Sequence, residues 1–268
     1  MKEISKNSIL LLFLKKRSVM SSKKVFGLVG KDIEYSFSRN YFSKKFEKLQ
    51  LVNATYLNFD LNSISEFSTV FDAHKDTLVG MNVTIPYKEE VGAFLDEIDS
   101  EAAEIGAINT IKIFPNGIRK GFNTDVYGFD QSIAPYLKPH HTKALILGTG
   151  GASKAVAYAF KKRNIRYQFV SRTPKNENEI SYDSLDASSI ENIGVIVNCS
   201  PLGTHPNVHL FPAIPYSFLT EKHLLFDLIY NPSETAFLKK GKAQGATVAN
   251  GMKMLELQAE KSWEIWNK

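Results

Sequence analysis

The sequence predicts an α/β protein with two α/β domains, the second built around a parallel sheet. Short apolar runs alternate with helix-length segments, the later runs are apolar without interruption, and a glycine-rich string follows one of them. Uninterrupted apolar strands are typical of a parallel sheet that helices cover on both faces. Their alternation with helices is typical of βαβ nucleotide-binding folds. At roughly 150 residues per domain, the 268 residues correspond to slightly under two domains.

The first half predicts a mixed series of strands and helices that ends in a hairpin. The helix after the first strand would have Ser38 as its N-cap. The runs 108–114 and 118–122 predict a hairpin, because the Asn116-Gly117 pair between them suits a turn with positive φ. The other predicted elements are strands over 25–30, 54–59 and near 78–83, a helix with Ile64, Phe67 and Phe71 facing inward, and short helices from near Pro86 and over about 100–105.

The second half predicts the parallel sheet. A strand over 144–148 leads through glycines into a helix over 154–163. Three more apolar strands follow, separated by segments of helix length or loop length: 167–170, 194–198 and 224–229. The last segment, 252–266, predicts a helix with Leu255, Ala259 and Trp263 on one face.

Charge and hydropathy argue against a nucleic-acid or membrane partner. The net charge is +5, but residues 1–19 carry five basic residues against Glu3, which leaves +1 for residues 20–268. The apolar run 9–14 has six residues, far fewer than the ~20 needed to span a bilayer. We interpret residues 1–19 as a flexible basic tail or as the product of an upstream start codon, with Met20 as the alternative start. Contact of this tail with an anionic membrane is a less favoured alternative.

The cysteine and histidine content points to a reducing compartment and to no bound metal. Cys199 is the single cysteine, so an intramolecular disulfide is excluded and a cytoplasmic location is expected. His140 and His141 are adjacent, and His205 and His209 flank a proline, spacings that do not resemble a zinc site. We expect Cys199 to be an inert thiol at a strand end.

A glycine-rich string between a strand and a helix predicts a dinucleotide phosphate site. Gly148 would permit the tight turn, and Gly150 would let the backbone approach a pyrophosphate at the N-terminus of the following helix. The rest of the string is Gly151-Ala152-Ser153, in which Ser153 replaces the usual third glycine. The alternative is a glycine turn that serves only packing.

The residues after the next strand favour NADP over NAD. An NAD site usually places an acidic residue about twenty positions after the glycines, to bind the ribose 2′-hydroxyl. Here Ser171, Arg172, Thr173 and Lys175 follow Val170 without an acid. Arg172 can pair with a 2′-phosphate or stack on adenine, and Thr173 can donate a hydrogen bond. The alternative is that Arg172 and Lys175 are merely solvated.

Polar clusters interrupt the elements of the first half. Ser36 and Ser38 would place both hydroxyls on one side of an extended chain, as would Asn82 and Thr84. Lys88 would begin a helix, where the helix dipole disfavours a cation, so a functional reason is worth seeking. Each cluster alone is weak evidence, because Asn and Thr at strand ends commonly form turns. Two further clusters are Gly106-Ala107-Ile108-Asn109-Thr110 and Gly121-Phe122-Asn123-Thr124-Asp125.

Taken in order, these motifs resemble the shikimate dehydrogenase family over residues 25–260. The carboxyl-terminal third agrees with the resemblance through three further motifs, which are Asn198-Cys199-Ser200-Pro201-Leu202-Gly203, Tyr230-Asn231-Pro232-Ser233-Glu234-Thr235, and Asn250-Gly251 followed by Met254-Leu255 and Gln258-Ala259. The chain departs from the family pattern where Tyr35 and Arg39 flank the serine pair. It also has Ser171 where asparagine is more usual.

The resemblance implies NADPH-dependent, reversible reduction of 3-dehydroshikimate to shikimate on the route to chorismate and aromatic amino acids. It implies a substrate-binding domain with a mixed sheet over residues 20–124, and a C-terminal helix within 249–268 that returns to this domain. It also implies a Rossmann-type NADP-binding domain over residues 125–248. Lys88 and Asp125 would be the catalytic acid–base pair, and Gly251 would line the nicotinamide site. The implied substrate-binding residues are Ser36, Ser38, Asn82, Thr84, Asn109, Tyr230 and Gln258.

Two alternatives stay open at this level. One is a quinate/shikimate dehydrogenase with a broader substrate range or NAD use, and the other is a non-catalytic NADP-binding regulator on the same scaffold. The missing acid after Val170 and the Ser36/Ser38 pair disfavour the first. The presence of both Lys88 and Asp125 disfavours the second. The sequence does not distinguish a monomer from a homodimer.

Overall fold

A computed structural model describes residues 23–34 and 36–268. The interpretation of residues 1–19 and the departure at Tyr35 lie outside these described residues. No helix within the described part is long and apolar enough to cross a lipid bilayer.

The first sheet is mixed, as the sequence predicted. Its strand order is β2-β1-β3-β5-β6-β4. β1 pairs in parallel with β2 and β3, whereas β5 is antiparallel to both β3 and β6. The strands are β1 (Lys24–Gly30), β2 (Ala54–Asp60), β3 (Leu78–Val83), β4 (Glu97–Ile98), β5 (Thr110–Ile113) and β6 (Arg119–Phe122).

Helices α1 (Phe37–Lys48), α2 (Phe67–His74) and α3 (Ser100–Ile105) accompany this sheet. One core cluster joins α2 to the sheet through the fully buried Phe67 and Met81. A second cluster joins β1, β2, α1 and the C-terminal helix, and it consists mainly of aromatic side chains: Phe26, Phe42, Phe46, Tyr56 and Trp266.

The second sheet is entirely parallel, with strand order β9-β8-β7-β10-β11-β12. Numbered from its own first strand, this order is 3-2-1-4-5-6, the order of a doubly wound dinucleotide-binding fold. The strands are β7 (Lys143–Leu147), β8 (Arg166–Ser171), β9 (Glu179–Ser181), β10 (Val195–Asn198), β11 (Leu224–Asp227) and β12 (Thr247–Ala249). The helices are α4 (Asp125–Ile133), α5 (Gly151–Lys162), α6 (Ala187–Glu191), α7 (Ala236–Ala243) and α8 (Met252–Asn267). The two-domain fold class is therefore confirmed.

Helix α8 returns to the first sheet. Its Trp266 indole N–H donates a hydrogen bond to the carbonyl of Ile111 in β5 at 2.9 Å. The ring of Trp266 also lies directly against Gly80 of β3, where any side chain would occupy the same space. Helix α4 packs against both α8 and α5, so it joins the two halves of the molecule.

Two local predictions are wrong. The N-cap of α1 is Ser36, whose side chain accepts from the backbone N–H of Arg39, while Ser38 lies inside the helix. No α-helix begins near Pro86, because the chain runs through turns into a short 3₁₀-helix over Val91–Phe94. On α8, Leu255, Ala259 and Trp263 lie on one face as predicted, with Ala259 buried and the other two half-buried. The other buried positions of this helix are Met254, Gln258, Ser262 and Trp266.

Candidate active site

A cavity of about 540 Å³ lies between the two halves of the molecule. Its size suits a small ligand together with part of a cofactor. The second half contributes Ala152, Leu228, Tyr230 and Gly251 to its wall. The residues predicted for catalysis and substrate binding all line this one cavity: Ser36, Ser38, Asn82, Thr84, Lys88, Asn109, Asp125, Tyr230 and Gln258.

Lys88 and Asp125 form an ion pair in the wall of the cavity. The Nζ–Oδ2 distance is 2.7 Å, and the two side chains are 14% and 8% exposed. Asp125 is the first residue of α4, where the positive end of the helix dipole stabilises a carboxylate. Lys88 lies in a turn rather than at the start of a helix. The predicted conflict with a helix dipole therefore does not exist, and the ion pair with Asp125 explains the lysine.

The glycine-rich loop of the second half contacts Lys88 directly. A methyl group added at Gly151 would lie 3.3 Å from Cβ of Lys88 and 3.7 Å from Cβ of Ala107. The first of these contacts is tighter than ordinary packing, so glycine at this position allows the two halves to approach. The loop that would hold a dinucleotide and the lysine that would act on a substrate are therefore neighbours.

Ser36 and Ser38 line the cavity from the start of a helix and not from an extended segment. The Ser36 side chain is committed to the N-cap of α1, where Oγ lies 3.3 Å from the Arg39 nitrogen. Ser38 is in the first turn of the same helix and is buried. The expectation of two hydroxyls on one side of an extended chain is therefore wrong. Both residues line the cavity nevertheless, because the N-terminus of α1 faces it.

An aromatic contact crosses the cleft. The rings of Phe37 and Tyr230 meet edge to face, with centroids 5.6 Å apart. Burial raises the pKa of Tyr230, so its hydroxyl stays protonated and can donate a hydrogen bond. Sequence reasoning missed Phe37, because an aromatic residue between two serines carries no signal of its own.

The residues of the glycine string form a cradle whose backbone is accessible. Gly148 has φ of +108°, a conformation that other residues rarely adopt, and Gly150 is the N-cap of α5 with open space around its Cα. The first N–H groups of a helix have no partner within the helix, which leaves those of Gly151 and Ala152 for an anion. Ser153 is fully buried, and its hydroxyl donates to the Gly150 carbonyl at 2.6 Å. Its side chain therefore shapes the loop rather than facing a ligand.

The loop after β8 has free positive charge. The backbone N–H of Gly148 donates to the carbonyl of Val170, so this loop begins beside the glycine string. Arg172, Thr173 and Lys175 are exposed. Within residues 23–34 and 36–268, neither Arg172 nor Lys175 takes part in an ion pair. The Ser171 hydroxyl accepts from the Thr173 N–H at 3.2 Å and so shapes the turn. This cradle and these charges fit a phosphorylated dinucleotide.

Gly251 cannot be replaced without moving the backbone. A Cβ at this position would overlap the carbonyl of Leu228, and the Gly251 N–H donates to the Ile229 carbonyl at 3.1 Å. The close contact brings the start of α8 to the end of β11, so residues of both segments line the same side of the cavity.

Asp227 holds the segment that carries Tyr230. Its carboxylate accepts from the Thr235 hydroxyl at 2.6 Å, the Ile229 N–H at 3.0 Å and the Asn198 amide at 3.0 Å. Burial raises its pKa from 3.8 to about 6, although these hydrogen bonds partly oppose the rise. The neighbouring Cys199 is half-buried, and desolvation raises the pKa of its thiol, as expected for an inert cysteine.

The raised pKa of Asp227 predicts a pH-dependent stability. The folded protein binds this proton more tightly than the unfolded chain, so the stabilisation is complete below pH 3.8 and is lost as the pH rises through about 6. The free energy of unfolding of the parent and of Asp227→Asn can be measured in urea at each pH. The parent value minus the variant value should fall by roughly 2 kcal/mol between pH 4 and pH 7. A difference that stays constant or grows over this range would contradict the raised pKa.

A second cleft, of about 610 Å³, lies between the β5–β6 hairpin, α4 and the end of α8. Two of its lysines, Lys162 and Lys261, are already paired with Glu101 and Glu264 at 2.9 Å. Only the cavity at Lys88, however, is lined by a residue of the glycine-rich string, Ala152. The cavity at Lys88 is therefore the candidate active site.

A doubly wound sheet, a glycine cradle and a buried lysine–carboxylate pair at a cleft between two α/β halves define a dinucleotide-dependent oxidoreductase. Residues 28–111 match the model of the shikimate dehydrogenase substrate binding domain. A shikimate dehydrogenase (NADP(+)) of Methanococcus maripaludis is 37% identical over 262 residues, covering 92% of this chain and 93% of that protein. The chain belongs to the shikimate dehydrogenase family.

Solved structures agree with this assignment. A shikimate 5-dehydrogenase from Thermus thermophilus, in complex with NADP(H) and shikimate, superposes with a TM-score of 0.79 at 28% identity. The match covers 91% of this chain and 93% of that one. A quinate dehydrogenase from Corynebacterium glutamicum in complex with NAD gives a TM-score of 0.78 at 28% identity, covering 91% and 94%. The fold is therefore shared by enzymes of both substrate types.

Proposed function

We propose that this chain catalyses the reversible, NADPH-dependent reduction of 3-dehydroshikimate to shikimate on the route to chorismate and aromatic amino acids. The observation that carries the proposal is the buried Lys88–Asp125 pair, 2.7 Å apart, in a cavity that the glycine loop adjoins. The family membership supports the choice of substrate.

In the proposed mechanism, Lys88 acts on the carbonyl oxygen of the substrate. NADPH, when bound, supplies the hydride. The Lys88 ammonium stabilises the negative charge that develops on the oxygen and donates a proton to it. Asp125 orients the amine and balances its charge, so the pair shares the proton that is transferred. In the oxidation direction the same pair takes up the proton of the alcohol. Because the Lys88–Asp125 pair is buried, water is kept from competing with the substrate oxygen for the Lys88 ammonium.

We assign substrate binding to side chains of the first half. Ser36 and Ser38 would bind the substrate carboxylate, and Asn82, Thr84, Asn109 and Gln258 would bind ring hydroxyls, with Tyr230 adjacent. The substrate domain would comprise residues 20–124 and 249–268, and the NADP domain residues 125–248. The location of α8 against the first sheet supports this division.

We assign cofactor binding to the other half. The backbone of Gly148, Gly150, Gly151 and Ala152 would bind the pyrophosphate, with Ser153 supporting the loop. The side chains of Arg172, Thr173 and Lys175 would bind the 2′-phosphate, with Ser171 shaping their turn and Gly251 lining the nicotinamide. The single cysteine of the sequence, Cys199, suits a cytoplasmic location. We expect a monomer or a homodimer.

Steady-state oxidation assays with shikimate and quinate, each with NADP+ and NAD+, test the proposal. We expect the highest kcat/KM for shikimate with NADP+. A higher kcat/KM for quinate, or for NAD+, would favour the quinate/shikimate dehydrogenase alternative. Tight NADP+ binding without turnover of either alcohol would favour the non-catalytic regulator.

A further inference from the structure

A buried hydrogen-bond network lies behind the proposed substrate residues. The amide of Asn82, which is 4% exposed, is contacted on both sides. Its oxygen accepts from the Tyr56 hydroxyl at 2.8 Å, and its nitrogen donates to the Ser262 hydroxyl at 2.9 Å. Tyr56 belongs to β2 and Ser262 to α8, so the carboxamide is held between two elements far apart in the chain.

The amide protons of Asn82 can be assigned. Its nitrogen can only donate, so the Ser262 oxygen accepts from it, while the Ser262 hydroxyl has the Gln258 carbonyl at 2.9 Å and the Thr110 hydroxyl at 2.8 Å as its own neighbours. The second N–H of Asn82 has the Asn109 carbonyl and the Thr110 hydroxyl within 3.3 Å. Both amide hydrogens of Asn82 are thus used within the protein. The free lone pair of Oδ1 is what remains for a ligand, since a carboxamide oxygen accepts two hydrogen bonds.

The environment of Tyr56 makes this orientation costly to reverse. Its ring stacks on Phe42 with centroids 4.8 Å apart, and the side chain is 4% exposed. Burial raises the pKa of Tyr56, and a hydrogen bond with Ser38 partly offsets the rise, so the phenol keeps its proton. A flipped Asn82 amide would take its oxygen away from the Tyr56 hydroxyl and place it against the Asn109 carbonyl, which can only accept, so a hydrogen bond would be lost.

We propose that Tyr56 and Ser262 are positioning residues that fix the Asn82 carboxamide so that it accepts a hydrogen bond from a substrate hydroxyl. The inference rests on the proposed function, because it assigns a direction to one contact of that site. Tyr56 contacts Asn82 from the side away from the cavity, so it supports a predicted substrate residue from behind. It would therefore determine how well the site distinguishes a hydroxyl donor from a group that can only accept.

The experiment is a double-mutant cycle on the dissociation constant of shikimate, measured by calorimetry on the full chain. Tyr56→Phe should weaken binding about tenfold, because the Asn82 amide loses its fixed orientation. In an Asn82→Ala background the same change should have almost no effect. Equal weakening in both backgrounds would overturn the inference, because Tyr56 would then act independently of Asn82.

Tyr87→Phe is the matched control. Tyr87 is also 4% exposed, and its hydroxyl donates to the Leu61 carbonyl at 2.6 Å, away from the network. Both variants should lower the Tm, but only Tyr56→Phe should weaken shikimate binding. A similar loss of binding in Tyr87→Phe would assign the effect to general destabilisation and overturn the inference.

Deoxyfluoro analogues of shikimate test the direction of the contact, because fluorine cannot donate a hydrogen bond. At one ring position, replacement of the hydroxyl by fluorine should weaken binding to the parent about tenfold. The loss should be smaller in Tyr56→Phe, because the Asn82 amide of that variant is free to turn and donate. An equal cost in both proteins at every ring position would overturn the assigned direction. Failure of the parent to bind shikimate at all would instead contradict the proposed function.

Discussion

Replacing Lys88 by alanine is expected to lower kcat by about 10³-fold. The dissociation constant for NADP+ should stay nearly unchanged. The side chain supplies both the positive charge at the carbonyl oxygen and the transferred proton, so its loss removes two contributions to transition-state stabilisation. The cofactor would be held by the glycine loop and Arg172, which the substitution leaves in place. Steady-state kinetics and fluorescence titration with NADPH measure the two quantities.

Lys161→Ala is the control for this substitution. Lys161 pairs with Glu104 at 2.6 Å and likewise joins α5 to the first half, but its side chain is 65% exposed. An exposed pair contributes little to stability, so we expect kcat to be unchanged. A parallel loss of kcat and NADP+ affinity in Lys88→Ala would contradict a chemical role for Lys88. It would indicate instead that the contact between Lys88 and Gly151 holds the cofactor loop in place.

Replacing Arg172 by aspartate is expected to reverse the cofactor preference. The carboxylate would repel a 2′-phosphate and could accept from the ribose 2′-hydroxyl, the contact that NAD-dependent folds use. The ratio of kcat/KM for NADP+ to that for NAD+ should fall by about a hundredfold or more, since a charge-assisted phosphate contact is replaced by repulsion. Initial rates at varied cofactor concentration, with shikimate held constant, give this ratio.

Arg166→Asp is the matched control for Arg172→Asp. It makes the same change of charge at the other end of strand β8. Arg166 begins β8 and is exposed, whereas Arg172 directly follows the strand. We expect this variant to keep the parent's cofactor ratio, because its charge lies at the opposite edge of the sheet. If Arg172→Asp also keeps the parent ratio, Arg172 is merely solvated and the 2′-phosphate assignment is wrong.

Much of the fold could be predicted because its signals are local. The uninterrupted apolar runs became the central strands of the second sheet, and Asn116-Gly117 became the turn between β5 and β6. The N-terminal end of α1 was misplaced by two residues, because Ser36 and Ser38 are both suitable cap residues and the local sequence does not choose between them. The short strand β9 had no apolar run to reveal it.

The candidate site could be predicted only as a set of residue types. Lys88 and Asp125 were expected to act together, but the turn that presents Lys88 was not expected. Tyr56 and Ser262 were missed entirely, because a tyrosine in a strand and a serine in a helix look like ordinary structural residues. Their role becomes visible only from contacts with Asn82, which lies 26 residues from one and 180 from the other.

By itself, the sequence determined the long central strands and most of the longer helices, the glycine-rich loop, the absence of an acid after Val170 and the family. These properties depend on neighbouring residues, whose spacing fixes periodicity, turn geometry and local charge. The tertiary structure alone decided that Lys88 and Asp125 meet at 2.7 Å, that Gly151 contacts the lysine, and that α8 brings Ser262 to Asn82. Those distances depend on how two sheets and their helices pack, and packing is set by the whole core rather than by any local pattern.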